Sequence, residues 1–299
     1  MVLSNDNTNK TKVLLCGGGN AVHVLTAYIG ALPDAQVCSI LSLYPGEAER
    51  LQEALGDNGS IRCENDLGGQ PVYGKPDLIS SDPSTVAPGC DVVIMALPSS
   101  FHKLYLEKLK PHLKTGVVIG AMPGQSGFDL CARSVLGKEF CRASSIFALE
   151  TLPWACRIVE YGRQVQVLGT KSEIGMAIAS SPDRSTDSVR DIIQGLIGPK
   201  PVLKADSNFL SVTLSNPNIV HPTISYGLYR DRDLSVPFDE HPLFYQDVNQ
   251  QTGEMLSKIS DEVLAIRDNL CKKYPNLDLS SIHHLRDFML LCYSNVIDD

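Results

Sequence analysis

The chain has 299 residues, of which 43% are hydrophobic and 20% charged, the composition of a globular protein built as one large domain or two medium ones. Its 34 acidic residues outnumber 26 Lys and Arg, for a formal charge of -8, and no basic stripe runs along it, which argues against nucleic acid as a partner. The longest apolar runs, such as Val92–Leu97, are far too short for a membrane span, so no membrane association is expected.

The polar opening Met1–Lys12 gives no secretory signal. Thr11–Cys16 predicts a short apolar strand, broken by Gly17-Gly18-Gly19-Asn20. A helix over Ala21–Leu32 follows, ended by Pro33. Val37–Leu43 reads as a second strand and Gly46–Leu55 as a helix rich in Ala, Glu and Leu. Cys90–Leu97 is apolar on both faces, as central parallel strands are. Ser99–Leu109 is its helix, with Ser99 expected as the cap. Gly116–Ala121 is another strand, followed by the turn Met122-Pro123-Gly124-Gln125 and a helix over Phe128–Leu136. This alternation predicts βαβ units and a doubly wound parallel sheet. Later, Arg163–Gly169 and Gly175–Ser180 read as strands, and Thr186–Ile197 as a helix. Gly198-Pro199-Lys200-Pro201 punctuates the chain, giving domains over 1–198 and 199–299. Beyond it come Phe209–Leu214, the segment Asn216–Tyr226, and helices near Asn249–Tyr274 and Ser281–Val296, a mainly helical part.

The glycine turn carries the first chemical signal. Gly17 permits a tight turn, and Gly19 lets a pyrophosphate approach the backbone. The amides of the helix starting near Asn20 and Ala21 then face the phosphate charge. Gly17, Gly18, Gly19, Asn20, Ala21 and Ser99 are therefore the candidate cofactor-binding residues. At the second strand's end, Glu47 is the nearest carboxylate and reads as a helix N-terminal charge, with Tyr44 as a possible substitute. With no arginine at that strand end, NAD is favoured over NADP. His23 either lies near the pyrophosphate or packs. The nine cysteines form no CxxC or metal-ligand spacing, so no metal is expected and a reducing, cytoplasmic compartment is. His221, held between Pro217 and Pro222 without a charged neighbour, is a candidate general acid or base near neutral pH.

Four motifs carry a resemblance: Gly17-Gly18-Gly19-Asn20 with His23, Met122-Pro123-Gly124-Gln125, Glu150-Thr151-Leu152-Pro153-Trp154-Ala155-Cys156-Arg157, and Asn216-Pro217 with His221-Pro222. Gly46–Arg50 and Lys258 with Asp261-Glu262 add to it. In this order the chain resembles the opine dehydrogenase family, the octopine, tauropine, alanopine and strombine enzymes of marine invertebrates. The resemblance implies a Rossmann domain followed by a helical opine domain. It implies NADH-dependent joining of an amino acid to a 2-keto acid, usually pyruvate, by a monomer or weak homodimer. It gives His221 the catalytic role, places Gln125 and Thr151 near the keto acid, and places Cys156 near the amino substrate. Family members continue past Asp299, so the helical domain is expected to be incomplete. Two other classes stay open: a different Rossmann-type oxidoreductase, and a catalytically impaired dinucleotide-binding protein.

Overall fold

A computed structural model describes residues 11–32, 36–56, 59–125, 127–206, 208–215, 217–237 and 239–294. The helix stop at Pro33, Asn216 and the last residues of the expected terminal helix lie outside the described residues. The chain divides into two compact units, Met1–Val212 and Thr213–Asp299.

The first unit begins with β1 (Thr11–Cys16), α1 (Asn20–Gly30), β2 (Gln36–Leu41) and α2 (Glu47–Leu55). Three short strands follow: β3 (Ile61–Glu64), β4 (Val72–Gly74) and β5 (Leu78–Ser80). After α3 (Pro83–Val86) come β6 (Val92–Met95), α4 (His102–Leu109), β7 (Val118–Ala121), α5 (Phe128–Leu136), α6 (Lys138–Ala143) and β8 (Ser145–Leu149). The unit continues through β9 (Trp154–Glu160), β10 (Gln164–Thr170), β11 (Glu173–Ala179), α7 (Thr186–Ile197) and β12 (Val202–Asp206).

Eight strands form one sheet in the order β12-β11-β8-β7-β6-β1-β2-β5. From β5 to β8 every pairing is parallel; β11 joins β8 antiparallel and β12 joins β11 parallel. This is the dinucleotide-fold strand order with two strands added at one edge. Helices cover both faces, so β6, β7 and β8 are buried along their whole length and their sequences are continuously apolar.

A second sheet, β4-β3-β10-β9, was not expected from the sequence. It packs on α1, which is buried on nearly every side from Ala21 to Ile29. That double cover explains why α1 is apolar all round rather than striped. In β9 and β10 the inward residues Trp154, Cys156, Val165 and Val167 are buried while Ala155, Arg157, Gln166 and Leu168 face outward.

The expected boundary at 198/199 is corrected to Val212/Thr213. Residues 202–206 extend the large sheet as β12, paired to β11 from Glu173↔Val202 to Ala177↔Asp206, so the Gly-Pro punctuation joins α7 to a strand of the same unit. Val212 also packs with Ala148 and Ala177 of that unit.

The second unit is helical among its described residues. It contains α9 (Pro217–Tyr229), α10 (Gln250–Lys273) and α11 (Leu285–Cys292), with α8 (Phe209–Thr213) running up to its start. Asn249 caps α10 through the Thr252 amide, and His284 caps α11 through that of Arg286. The terminal helix is shorter than expected at both ends. The segment around His221 is helix, with Pro222 inside it.

Candidate functional site

The carboxyl ends of β1, β2 and β6 open onto a cleft of about 500 Å³, walled by Gly17–Gly19, Leu43–Pro45, Glu47, Ala96–Pro98, Phe101, Leu104 and Tyr105. It lies where the strand order reverses, the position at which doubly wound sheets bind ligands.

The three glycines have separate causes. Gly17 has φ +116°, and a Cβ there would sit 3.0 Å from the Ala96 carbonyl oxygen. Its amide donates to Leu41 O at 2.9 Å while the Ala96 amide donates to Cys16 O at 3.1 Å, so the turn is fixed to both neighbouring strands. Over Gly18 lies the Glu47 carboxylate, which a Cβ there would strike. At Gly19 a Cβ would meet no described atom within 4 Å. The fold itself thus demands glycine at 17 and crowds 18, whereas Gly19 stands exposed on the cleft wall with room for a Cβ.

Gly19 caps α1, with no side-chain cap bond and no acidic residue in the first turn. The first-turn amides of a helix have no partner within the helix, and here they carry the positive end of its dipole. Asn20 does not offer its side-chain oxygen to the cleft: Oδ1 accepts the Ile158 amide of β9 at 2.8 Å. Ala21 and Val22 are buried, so their side chains point into the fold.

Glu47 opens α2 and returns toward the turn. Ser42 donates its hydroxyl to the Glu47 carboxylate. Arg50 lies 3.9 Å from that carboxylate and sets its guanidinium over the Tyr161 ring at 4.0 Å. Across the cleft the Leu43 amide donates to the Tyr105 hydroxyl at 2.9 Å. Ser99 is exposed on the rim, but the expected cap is corrected: Pro98 holds the cap position of the short 3-10 turn Ser99–Phe101. His102, which begins α4, is buried edge-on against Phe128 with its pKa lowered by desolvation.

His23 packs rather than reaching into the cleft. Its ring is fully buried, with Nδ1 3.0 Å from Gly19 O and Nε2 3.0 Å from the Gly162 amide in the β9–β10 turn. Desolvation lowers its pKa, keeping the imidazole neutral.

At the carboxyl ends of β7 and β8, Gln125 and Thr151 come together. The Gln125 amide donates to the Glu150 carbonyl, directly before Thr151. The Gly124 amide donates to Leu149 O at 2.7 Å, and Lys171 Nζ to Leu152 O at 2.8 Å, so the segment is held from both sides. Cys156 is one step further, inside β9. It is 3% exposed and burial pushes its thiol up to about 11, so it is a packed neutral thiol.

His221 belongs to the second unit. Its Nε2 lies 2.9 Å from the Tyr245 hydroxyl, and its ring stacks on Phe244 at 5.5 Å. Neither aromatic was identified from sequence, because they follow His221 by more than twenty residues across a non-repetitive stretch. No cluster of His, Cys, Asp or Glu suited to a metal occurs among the described residues.

The model of the NAD/NADP octopine/nopaline dehydrogenase alpha-helical domain matches residues 205–299. An octopine dehydrogenase from Mizuhopecten yessoensis is 36% identical over 96% of this chain and 72% of its own length. A tauropine dehydrogenase from Arabella iricolor is 33% identical, covering 95% of this chain and 72% of that protein. Octopine dehydrogenase solved with NADH and L-arginine superimposes with a TM-score of 0.83 at 34% identity, over 97% of this chain and 72% of that one. The same enzyme solved with NADH and pyruvate gives 0.80 at 32% identity, over 96% and 73%.

Proposed function

The chain belongs to the family of octopine, opine and tauropine dehydrogenases, and from that premise we propose that it catalyses the reversible, NADH-dependent condensation of an amino acid with pyruvate or a related 2-keto acid to give an opine. The observation that carries the cofactor half is Gly19, open toward the cleft at the uncapped start of α1.

The residues present fit a dinucleotide. The α1 amides meet the pyrophosphate charge, and the bare Gly19 backbone allows the approach. Glu47, already accepting from Ser42, has a second carboxylate oxygen for the ribose hydroxyls. A 2′-phosphate would place like charge against it, which supports NADH over NADPH. Bound there, the nicotinamide would supply the hydride that reduces the carbon–nitrogen double bond formed, with loss of water, between the keto carbon and the amino group, leaving a secondary amine.

The remaining chemistry falls to side chains. Gln125 and Thr151, brought together at the carboxyl ends of β7 and β8, donate to the keto acid. His221 holds the proton that makes its carbonyl electrophilic, and takes a proton back in the opposite direction. Cys156, a buried residue of β9, stands near the amino substrate and contributes packing rather than a reactive thiol. The nine cysteines are all free thiols, and no described helix is long and apolar enough to cross a membrane. Those thiols support a cytoplasmic location.

A fluorescence titration tests the cofactor reading. NADH is expected to saturate the protein and to bind at least tenfold more tightly than NADPH, about 1.4 kcal/mol. Failure of NADH to bind the folded protein would remove the proposal.

A further inference from the structure

His23 touches the cofactor turn from behind. A backbone amide can only donate, so the Gly162 N–H at 3.0 Å requires a lone pair on Nε2. The ring proton is then on Nδ1, where it donates to the Gly19 carbonyl at 3.0 Å. One neutral tautomer satisfies both bonds, and the imidazolium would lose the first.

That carbonyl also accepts the backbone amide of His23 at 3.2 Å, so residue 23 supplies two donors to it. The Gly19–Asn20 peptide is planar and trans, with its C=O and N–H pointing in opposite directions. Drawing the Gly19 carbonyl back toward His23 therefore turns the Asn20 N–H away from the helix, and Gly19 beside it belongs to the cleft wall, where a Cβ would meet no described atom. The Asn20 side chain is engaged elsewhere, on the Ile158 amide, so it does not fold back over its own N–H. The β9–β10 turn supports the ring in turn: Tyr161 packs on it at 5.2 Å, and Arg163 Nε donates to Ala54 O at 2.9 Å.

We propose that His23 is a positioning residue for the dinucleotide: through Nδ1 it holds the Gly19 carbonyl and so aims the Asn20 N–H at the pyrophosphate, while Nε2 anchors the ring to the β9–β10 turn. This rests on the reading that the turn Gly17–Asn20 holds the cofactor.

Two substitutions separate the halves of the ring. His23→Asn keeps a donor near Nδ1, and His23→Gln keeps an acceptor near Nε2. Both lose one buried bond, so both are expected to melt at lower, similar temperatures. The NADH dissociation constant is expected to rise at least tenfold in His23→Gln and to be largely rescued in His23→Asn. Equal weakening in both, weakening only in His23→Asn, or no weakening in either would overturn the assignment. A Gly19→Ala control tests the underlying reading: if it leaves NADH affinity unchanged, the cofactor is held elsewhere. If it weakens binding and His23→Gln does not, the inference alone fails. Should the variants not fold, nitrogen NMR of the unsubstituted protein decides. The Nδ1–H tautomer of His23 and a shift of the Asn20 amide on adding NADH are expected; an Nε2–H tautomer, or an unmoved Asn20 amide, would contradict the assignment.

Discussion

Replacing Gly19 by alanine separates what the fold needs from what the cofactor needs. Gly19 has φ -86° and ψ -168°, an extended backbone that any residue adopts. Its Cβ would meet no described atom within 4 Å, so no clash is introduced. Removing the glycine's freedom in the unfolded chain stabilises by about 0.4–1 kcal/mol. Losing glycine at a helix cap costs about the same, since alanine is a poor cap. The two offset, and the melting temperature should stay within a few degrees. The new methyl nevertheless stands on the cleft wall, where the pyrophosphate would approach the turn. NADH affinity should therefore fall at least tenfold, about 1.4 kcal/mol, in a protein of ordinary stability. Gly17→Ala gives the opposite pattern, because φ +116° and the Ala96 carbonyl at 3.0 Å strain the fold itself. Fluorescence titration and calorimetry on the Gly19→Ala protein decide. An unchanged dissociation constant would refute the reasoning, and so would a large loss of stability.

Three further outcomes are expected. Glu47→Gln should shrink the preference for NADH over NADPH to a few-fold or less, because the charge that repels a 2′-phosphate is gone; paired titrations check this. His221→Gln should lower turnover by about 10²–10⁴-fold while leaving NADH affinity unchanged, and near-normal turnover would remove His221 from the proton transfer. Stability should fall as pH drops below about 6.5, the ordinary imidazole value. His23 and His102 have folded pKa values depressed by burial, so the unfolded chain binds their protons first. Their contribution is complete above about 6.5 and is lost toward the lower folded values, by at most about 1.4 kcal/mol per pH unit for each. Urea midpoints followed by the buried Trp154 measure it, and a midpoint that rises on acidification would contradict the sign.

The parallel sheet was legible because its physics is written locally. Strands covered on both faces are apolar runs, and β1, β6 and β7 sit between turn residues that stop them. The strands β3, β4 and β5 were not legible, being only three or four residues long and separated by Asp, Gly and Pro. The strand β10, which pairs with β3, was read as a strand, but nothing local says that its partner lies just over a hundred residues earlier. The site divides in the same way. Gly17–Asn20 is a local motif, and the sequence reading located it. The role of Asn20 was not visible, since its partner Ile158 is 138 residues away. His23 could only be described as near the cofactor or packed, because its tautomer is set by Gly162 at a separation of 139 residues. The Gly198–Pro201 stretch misplaced the domain boundary because a Pro-Gly turn marks any change of direction, including one from a helix into a strand of the same unit.

The most direct test is an initial-rate assay of NADH oxidation with pyruvate and a panel of amino compounds, including arginine, taurine, alanine and glycine, with mass analysis of the product. NADH should be consumed only when both a 2-keto acid and an amino compound are present. The product mass should equal that of the two substrates less one water plus two hydrogens, a secondary amine. Oxidation with pyruvate alone, or none with any pair on a protein that binds NADH, would contradict an opine-forming reaction.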